Sequence, residues 1–328
     1  MRPFEFTSPT SKAQVPGLLG KSWGEVEILA GGSDLLSLMK DEITTPRRLV
    51  NIKGIPELHA VTFNAGSGLK IGSLMTLDEL ANHAEVKRNY PSLASALGDA
   101  ASPQIRNVAT LGGNLCQRPR CWYFRTGHGL LGQSEDGKSL VLEGDNRYHA
   151  ILGNHGPAYF VSPSTIAPVL IAYQAKVRLL GPKGTREISL EKFFVVPKTQ
   201  QEREHDLGPN EIVTEIVIPP PSNVRAAHYE IRQKEAFDWP YATAAVALTM
   251  NGSTVQNARI VLGHVAPVPW VSSEAAQFLA GKTITADTAA QAAQVALANA
   301  QSLGRNHQKI QLAKVAVKRA ILKAGGVA

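Results

Sequence analysis

Cysteine is nearly absent from this sequence. Two residues, Cys116 and Cys121, in a chain of 328 cannot form a disulfide framework and stand too close together to staple much chain, so a reducing compartment is expected. Long apolar runs are missing as well. The longest, such as APVLIAY at 167–173, fall far short of the ~20 residues of a spanning helix. The opening stretch MRPFEFTSPTSKAQVPG carries an arginine but no apolar core of a secretory signal. The chain therefore reads as cytoplasmic, with no membrane association, unless a partner's twin-arginine signal exports it to the periplasm. Acidic residues stop at Asp287, and Arg305, Lys309, Lys314, Lys318, Arg319 and Lys323 follow. Much of the net charge of +7 thus sits in one C-terminal segment with no interleaved aromatics, which argues for a solvated or protein-facing surface and against nucleic acid.

Chemical motifs are also sparse. The nine histidines show no HxxxH or His-Cys-Cys spacing for zinc, and Ser33 lacks the G-x-S-x-G elbow of a hydrolase. Present instead are two glycine pairs, in LAGGSDLL at 29–36 and ATLGGN at 109–114. Neither is a Walker loop or a complete G-x-G-x-x-G. A strand-to-helix turn of this composition lets backbone N–H groups approach a phosphate, aided by the helix dipole, although paired glycines also mark ordinary turns. Two such turns about 80 residues apart, each read as following a strand, could clamp one pyrophosphate from both sides.

With 44% hydrophobic residues, the chain is long enough for two or three packed units. Strands are expected at VEILA (26–30), RLVNI (48–52), YFVS (159–162), KVRLL (176–180) and EIVTEIVIPP (211–220), with Ser33 capping a short helix through Leu35, Leu36, Leu38 and Met39. HAVTF and LKIGS flank a hairpin turn at 64–68, Thr76 and Glu79 form a capping box, and a helix covers 92–101. Residues 116–150 form an insertion-like loop. Pro219 to Pro221 mark a boundary, beyond which AAHYEIRQ, YATAAVALTM and ARIVLG are strands or buried helices and two Ala-rich helices lie at about 286–302 and 308–323.

LAGGSDLL, NIKGIPEL (51–58), LKIGSLMTLDEL (69–80), SPQIRNVATLGGNL (102–115), HAILGNHGPAYFVSPSTIAPVLIAYQAKV (149–177) and REISLEKFF (186–194) occur in this order. In these stretches the chain resembles, over nearly its whole length, the FAD-binding medium subunit of the xanthine dehydrogenase and aldehyde oxidoreductase family of molybdenum hydroxylases. The resemblance implies an α+β protein: a two-part FAD-binding fold of the vanillyl-alcohol-oxidase (PCMH) type over 1–221, divided at about residue 55 into 1–55 and 56–221. An α+β domain like the C-terminal domain of CO dehydrogenase flavoprotein follows over 222–328. It implies FAD held by Leu29, Ala30, Gly31, Gly32, Ser33, Asp34, Leu35 and Leu36 at the pyrophosphate, with Thr110, Gly112, Gly113 and Asn114 facing it. Gln117, Thr165 and Ile166 would lie along the ribityl and adenosine side, and Lys234 and Asp238 at the isoalloxazine. Thr165 departs from the family's usual aspartate.

The family's chemistry is oxidoreduction by the flavin itself, with no catalytic side chain and no metal bound by this chain. Electrons would arrive from a [2Fe–2S] small subunit, their source a molybdenum-cofactor large subunit in a heterotrimer, and leave to NAD or another acceptor. A self-contained flavin oxidase or reductase of the same fold is the alternative. CQRPRCWYFR resembles the start of a loop that carries an extra [4Fe–4S] cluster in some members, but two cysteines cannot supply its four thiolates, so a loop without metal is expected.

Overall fold

The computed structural model describes residues 1–221, 223–234 and 237–327. Three sheets organise it. Strands β1 (Glu5–Thr7), β2 (Val26–Leu29) and β3 (Arg48–Asn51) form a parallel sheet with β3 in the centre. Parallel neighbours need a crossover, and helix Leu35–Lys40 between β2 and β3 supplies it.

Strands β4 (Val61–Asn64), β5 (Gly68–Gly72), β6 (Lys176–Gly181), β7 (Gly184–Ser189) and β8 (Ile212–Ile218) form an antiparallel sheet in the order β4-β5-β8-β6-β7. One face is apolar: Leu69, Ile71, Val177, Leu179, Ile216 and Ile218 pack with residues of helices Leu77–Asn82, Pro91–Asp99 and Ile166–Ala172. The hairpin β4–β5 and the Thr76–Glu79 capping box form as expected, with Thr76 Oγ1 accepting from Glu79 N.

Strands β9 (Val224–Ile231), β10 (Ala242–Asn251), β11 (Thr254–Gly263) and β12 (Trp270–Val271) make a second antiparallel sheet, ordered β12-β11-β10-β9. Helices Ser273–Leu279, Ala286–Ala296 and His307–Gly325 cover one face. Along β10, Ala244, Val246 and Leu248 pack toward those helices while Ala245 and Ala247 join the core of the preceding five-stranded sheet. Burial on both faces replaces alternation with a continuous apolar run, which is why YATAAVALTM could be read as strand or helix.

Four local expectations change. Tyr159–Ser162 is not a strand; it lies between Pro157 and Pro163, and its backbone makes single bonds to Ala150 and Ala266 rather than a ladder. Asp34, not Ser33, occupies the N-cap position of the first crossover helix, without a side-chain capping bond. The second glycine turn follows helix Pro103–Arg106 rather than a strand. Strand β7 and helix Ser273–Leu279, which carry weak periodicity, were not expected.

The 116–150 loop is anchored to the C-terminal helix by buried polar groups. Asn146 Nδ2 donates to Leu303 O (2.8 Å) and its Oδ1 accepts from Arg305 N (3.0 Å). Asn306 Nδ2 donates to His149 O and Ala150 O, and Lys309 Nζ donates to Tyr148 O (2.6 Å) and His149 O (3.1 Å). Lys309 is fully buried, which pushes its ammonium down from 10.5 to about 7. Above pH 7 the folded protein releases this proton while the unfolded chain keeps it up to about 10.5, so Lys309 adds stability as the pH rises through that window. Urea denaturation of wild type and Lys309→Met should show a stability difference that shifts in favour of wild type by roughly 1 kcal/mol per pH unit between pH 7 and 9.5. A difference independent of pH would exclude a titrating Lys309.

Candidate functional site

A cleft of about 1120 Å³ runs between the parallel sheet, the five-stranded sheet and the edge of the C-terminal sheet. This is slightly above the ~300–1000 Å³ usual for small-molecule sites, room enough for an elongated ligand. Ala30, Gly31, Gly32, Ser33, Asp34, Leu35, Thr110, Gly112, Gly113, Asn114, Gln117, Thr165 and Asp238 all line it. Leu29, Leu36, Ile166 and Lys234 do not. Leu29 and Leu36 flank Gly32 with their side chains, Ile166 is buried in the core behind Thr165, and the Lys234 N–H donates to Asp238 Oδ2 at 3.0 Å.

The two glycine turns meet each other. A Cβ on Gly31 would strike the carbonyl of Val108, just ahead of the second turn. Gly32 holds a left-handed φ of +77°, a conformation that side chains resist. Their donors behave differently, however. In the second turn the Gly112 N–H donates to Ser73 O (2.9 Å), Gly113 to Thr110 Oγ1 (3.1 Å) and Asn114 to Thr110 O (2.8 Å). For the N–H groups of Gly31, Gly32, Ser33, Asp34 and Leu35, no acceptor occurs among the described residues. A row of free amides at a helix start, facing a cleft, is an anion cradle. The second turn is its close-packed opposite wall: a Cβ on Gly112 would press on Ser73, and one on Gly113 on Thr110 Oγ1.

The Asp34 side chain is drawn away from capping the helix by one backbone and two guanidinium donors of the arginine-rich loop. Its Oδ2 accepts from Arg118 N (2.8 Å), and its Oδ1 pairs with Arg125 Nη2 (2.8 Å) and Arg120 Nη1 (3.1 Å). Sequence reasoning assigned no role to these arginines; the signal was their density in QRPRCWYFR opposite a lone aspartate. Arg120 also stacks over Trp239 at 4.7 Å, which joins the loop to the segment carrying Asp238. Beside Thr165, Ser164 Oγ donates to Asn114 Oδ1 (2.7 Å) and accepts from Ala167 N (3.0 Å). The serine thereby links the second turn to helix Ile166–Ala172, while the Thr165 hydroxyl makes no capping bond.

Further charged groups line the cleft. Arg118 pairs with Glu204 (2.9 Å), and Arg203 with Glu27 (3.3 Å) while stacking on Trp23 at 4.6 Å. Burial pushes the Glu27 carboxyl up to about 7, partly offset by Arg118. Burial likewise lifts the Cys116 thiol to about 12 and raises that of Cys121, so neither is an activated thiolate. Cys121 Sγ contacts His149 Nε2 at 3.1 Å, and burial, with Lys309 adding, lowers that imidazole to about 4. Among the described residues no three His, Cys, Asp or Glu side chains gather to hold a metal. Nor is any helix long and apolar enough to cross a membrane.

Known proteins match both halves of the chain. Residues 2–221 match the FAD-binding domain in molybdopterin dehydrogenase, and residues 227–324 match the CO dehydrogenase flavoprotein C-terminal domain. The chain is 33% identical over 307 residues to the aldehyde oxidoreductase FAD-binding subunit PaoB of Escherichia coli K12, covering 93% of this chain and 90% of that one. It is 29% identical to the carbon monoxide dehydrogenase medium chain of Hydrogenophaga pseudoflava, over 97% and 96% of the two. Among solved structures, it superposes on quinoline 2-oxidoreductase of Pseudomonas putida 86 with a TM-score of 0.77 at 26% identity, covering 99% of this chain and 98% of that one. The free amides and glycine walls fit a dinucleotide's pyrophosphate, and the matched families span both halves of the chain. It belongs to the FAD-binding subunits of the molybdenum hydroxylases, an oxidoreductase family, with FAD as its cofactor.

Proposed function

We propose that this chain relays electrons within a heterotrimer, between a [2Fe–2S] small subunit fed by a molybdenum-cofactor large subunit and NAD or another soluble acceptor. The observation that carries the assignment of the site is the row of unpartnered amides from Gly31 to Leu35. FAD, when bound, supplies the electron-carrying chemistry. The residues of this chain bind and orient it. The amides would receive the pyrophosphate, with Leu29 and Leu36 setting the turn, and Thr110, Gly112, Gly113 and Asn114 would form the opposite wall. Gln117, Thr165 and Ile166 would support the ribityl and adenosine side, and Lys234 and Asp238 the ring. Asp34 would fix the turn through its arginines, whose excess positive charge favours a phosphate nearby.

The division of the chain into 1–221, with parts about 1–55 and 56–221, and 222–328 belongs to the same proposal. So does a cytoplasmic location, or a periplasmic one reached with an exported partner. A self-contained flavin oxidase or reductase predicts substrate turnover by this chain alone, and the heterotrimer predicts none.

Protein refolded with FAD should hold about one flavin per chain, released into the supernatant by acid precipitation because no histidine or cysteine in either turn offers a covalent link. Gly32→Val and Gly113→Val should each abolish binding, and Gly31→Val should do so most severely. Undiminished affinity in all three would remove the cradle from the site. Flavin retained in the acid pellet would show a covalent bond.

The isolated chain should contain less than one iron per flavin after anaerobic purification. It should oxidise no aldehyde or purine until both partner subunits are added. Cys121→Ser should leave flavin content and complex activity within about twofold of wild type, as expected for a substitution outside the cofactor-binding machinery. Four irons per chain, lost together with activity in Cys121→Ser, would show that the loop recruits a cluster through other ligands.

A further inference from the structure

One wall of the cleft carries a line of polar groups that flavin binding does not require. His228 and Glu230 lie two residues apart on β9 and so share a face, the face turned toward helix Pro91–Asp99. Glu230 lines the cleft, yet its side chain is only 5% exposed. Its Oε1 pairs with Arg232 Nη2 at 2.9 Å, whereas Oε2 has no hydrogen-bond partner among the described residues. That oxygen lies 4.0 Å from Nε2 of His228, a side chain 1% exposed with neither ring nitrogen hydrogen-bonded among the described residues. His228 Nδ1 lies 3.8 Å from Oδ2 of Asp99, whose side chain is 42% exposed.

We propose that Asp99, His228 and Glu230 form a proton path, by which a proton from solvent reaches the Glu230 carboxylate when negative charge accumulates on the redox cofactor in the cleft. The proposal rests on the assignment of FAD to this cleft. For two electrons delivered to the cofactor by an external reductant, the Asp99 carboxylate takes one proton from hydronium or a buffer acid, leaving water or the conjugate base, and passes it on. His228 accepts it on one nitrogen and releases one from the other, and an O–H bond forms on Glu230. Each gap exceeds a hydrogen bond by about 1 Å, within reach of small side-chain rotations.

The surroundings suit the role. Burial, with Asp99 adding and Arg232 opposing, brings the Glu230 carboxyl up to about 7, so it stands at mid-titration near neutral pH. Burial, Lys323 and Arg232 hold His228 down to about 3, and a neutral imidazole has one nitrogen free to accept while the other donates. From the C-terminal helix, Lys323 Nζ approaches His228 O at 3.5 Å, and Arg319 binds Tyr229 on the opposite face of the strand. On the neighbouring strands, Thr243 is paired with Glu230 and stands beside buried His264. A new negative charge in this low-dielectric wall raises the affinity of Glu230 for a proton.

The test uses the full-length chain loaded with FAD and reduced anaerobically with dithionite. The midpoint potential is followed between about pH 6 and 8, and proton uptake is measured with an indicator dye. Glu230→Gln should lose a contribution to the pH slope and to the uptake that is small at about pH 6, where Glu230 is already protonated, and approaches one proton per two electrons towards about pH 8, and Glu230→Asp should restore part of both. Asp99→Asn and His228→Phe should keep the Glu230 contribution to the slope, displaced to lower pH where the Asp99 charge is lost, but take up protons at least about tenfold more slowly. A purely packing role for Glu230 would alter flavin retention or thermal stability and leave the slope unchanged. An unchanged slope and uptake in flavin-loaded Glu230→Gln would overturn the proposal, as would a wild-type uptake rate in Asp99→Asn should Glu230→Gln fail to retain flavin. Wild-type chain that binds no FAD would instead overturn the cofactor's assignment to the cleft, and this path with it.

Discussion

The contact between Asp34 and the arginine-rich loop sets the rest of the site. A carboxylate at the start of a helix ordinarily turns back to cap it. Here it turns outward to Arg118 N, Arg120 and Arg125, which fixes the loop over the turn and leaves the helix-start amides unoccupied. Removing it would strand two arginines, 30% and 17% exposed, beside an already positive cradle, so the cost would reach past the loss of ordinary surface pairs. The same loop is tied at its far end to Asn306 and Lys309 of the C-terminal helix. The insertion-like loop is thus a strut between the first glycine turn and the last helix.

The two glycine pairs look alike in sequence but contribute different physics. The first offers donors; the second has spent its donors on Ser73 and Thr110 and contributes thinness. Gly31 permits the turns to touch, and Gly112 lets the second helix start against Ser73. A pyrophosphate placed between them would meet amides on one side and, on the other, a backbone wall that no side chain could replace without moving β5 or its neighbours.

Much of this was legible in the residues. The strand, double glycine and leucine-rich helix at 26–40, the hairpin at 61–72 and the Thr76–Glu79 cap follow from local chemistry, and they form where that chemistry puts them. Most residues expected around the ligand do line one cleft. What stayed hidden depends on distant partners. Nothing near Ser33 reveals that Asp34 will be claimed by arginines 84 to 91 residues away. Nothing near Glu230 reveals that its strand edge forms a wall of the cleft. Tyr159–Ser162 has strand-like residues but no neighbouring strand to pair with, and two prolines bound it.

The double burial of β10 ties these observations together. The prolines at 219–221 interrupt the chain between β8 and β9, yet Ala245, Ala247 and Val261 belong to the same apolar cluster as Leu69, Ile71 and Ile216. Alanine is what allows this, because a larger side chain on that face would push the sheet away from helix Ile166–Ala172. The C-terminal sheet is therefore not a free cap over the cleft. Its edge strand β9 is fixed against helix Pro91–Asp99 by the same packing, with Arg232 reaching Asp99 O at 3.4 Å. A cleft wall built on two packed elements fixes the backbone that carries the buried His228 and Glu230, so that only side-chain rotation changes the 4.0 Å between them.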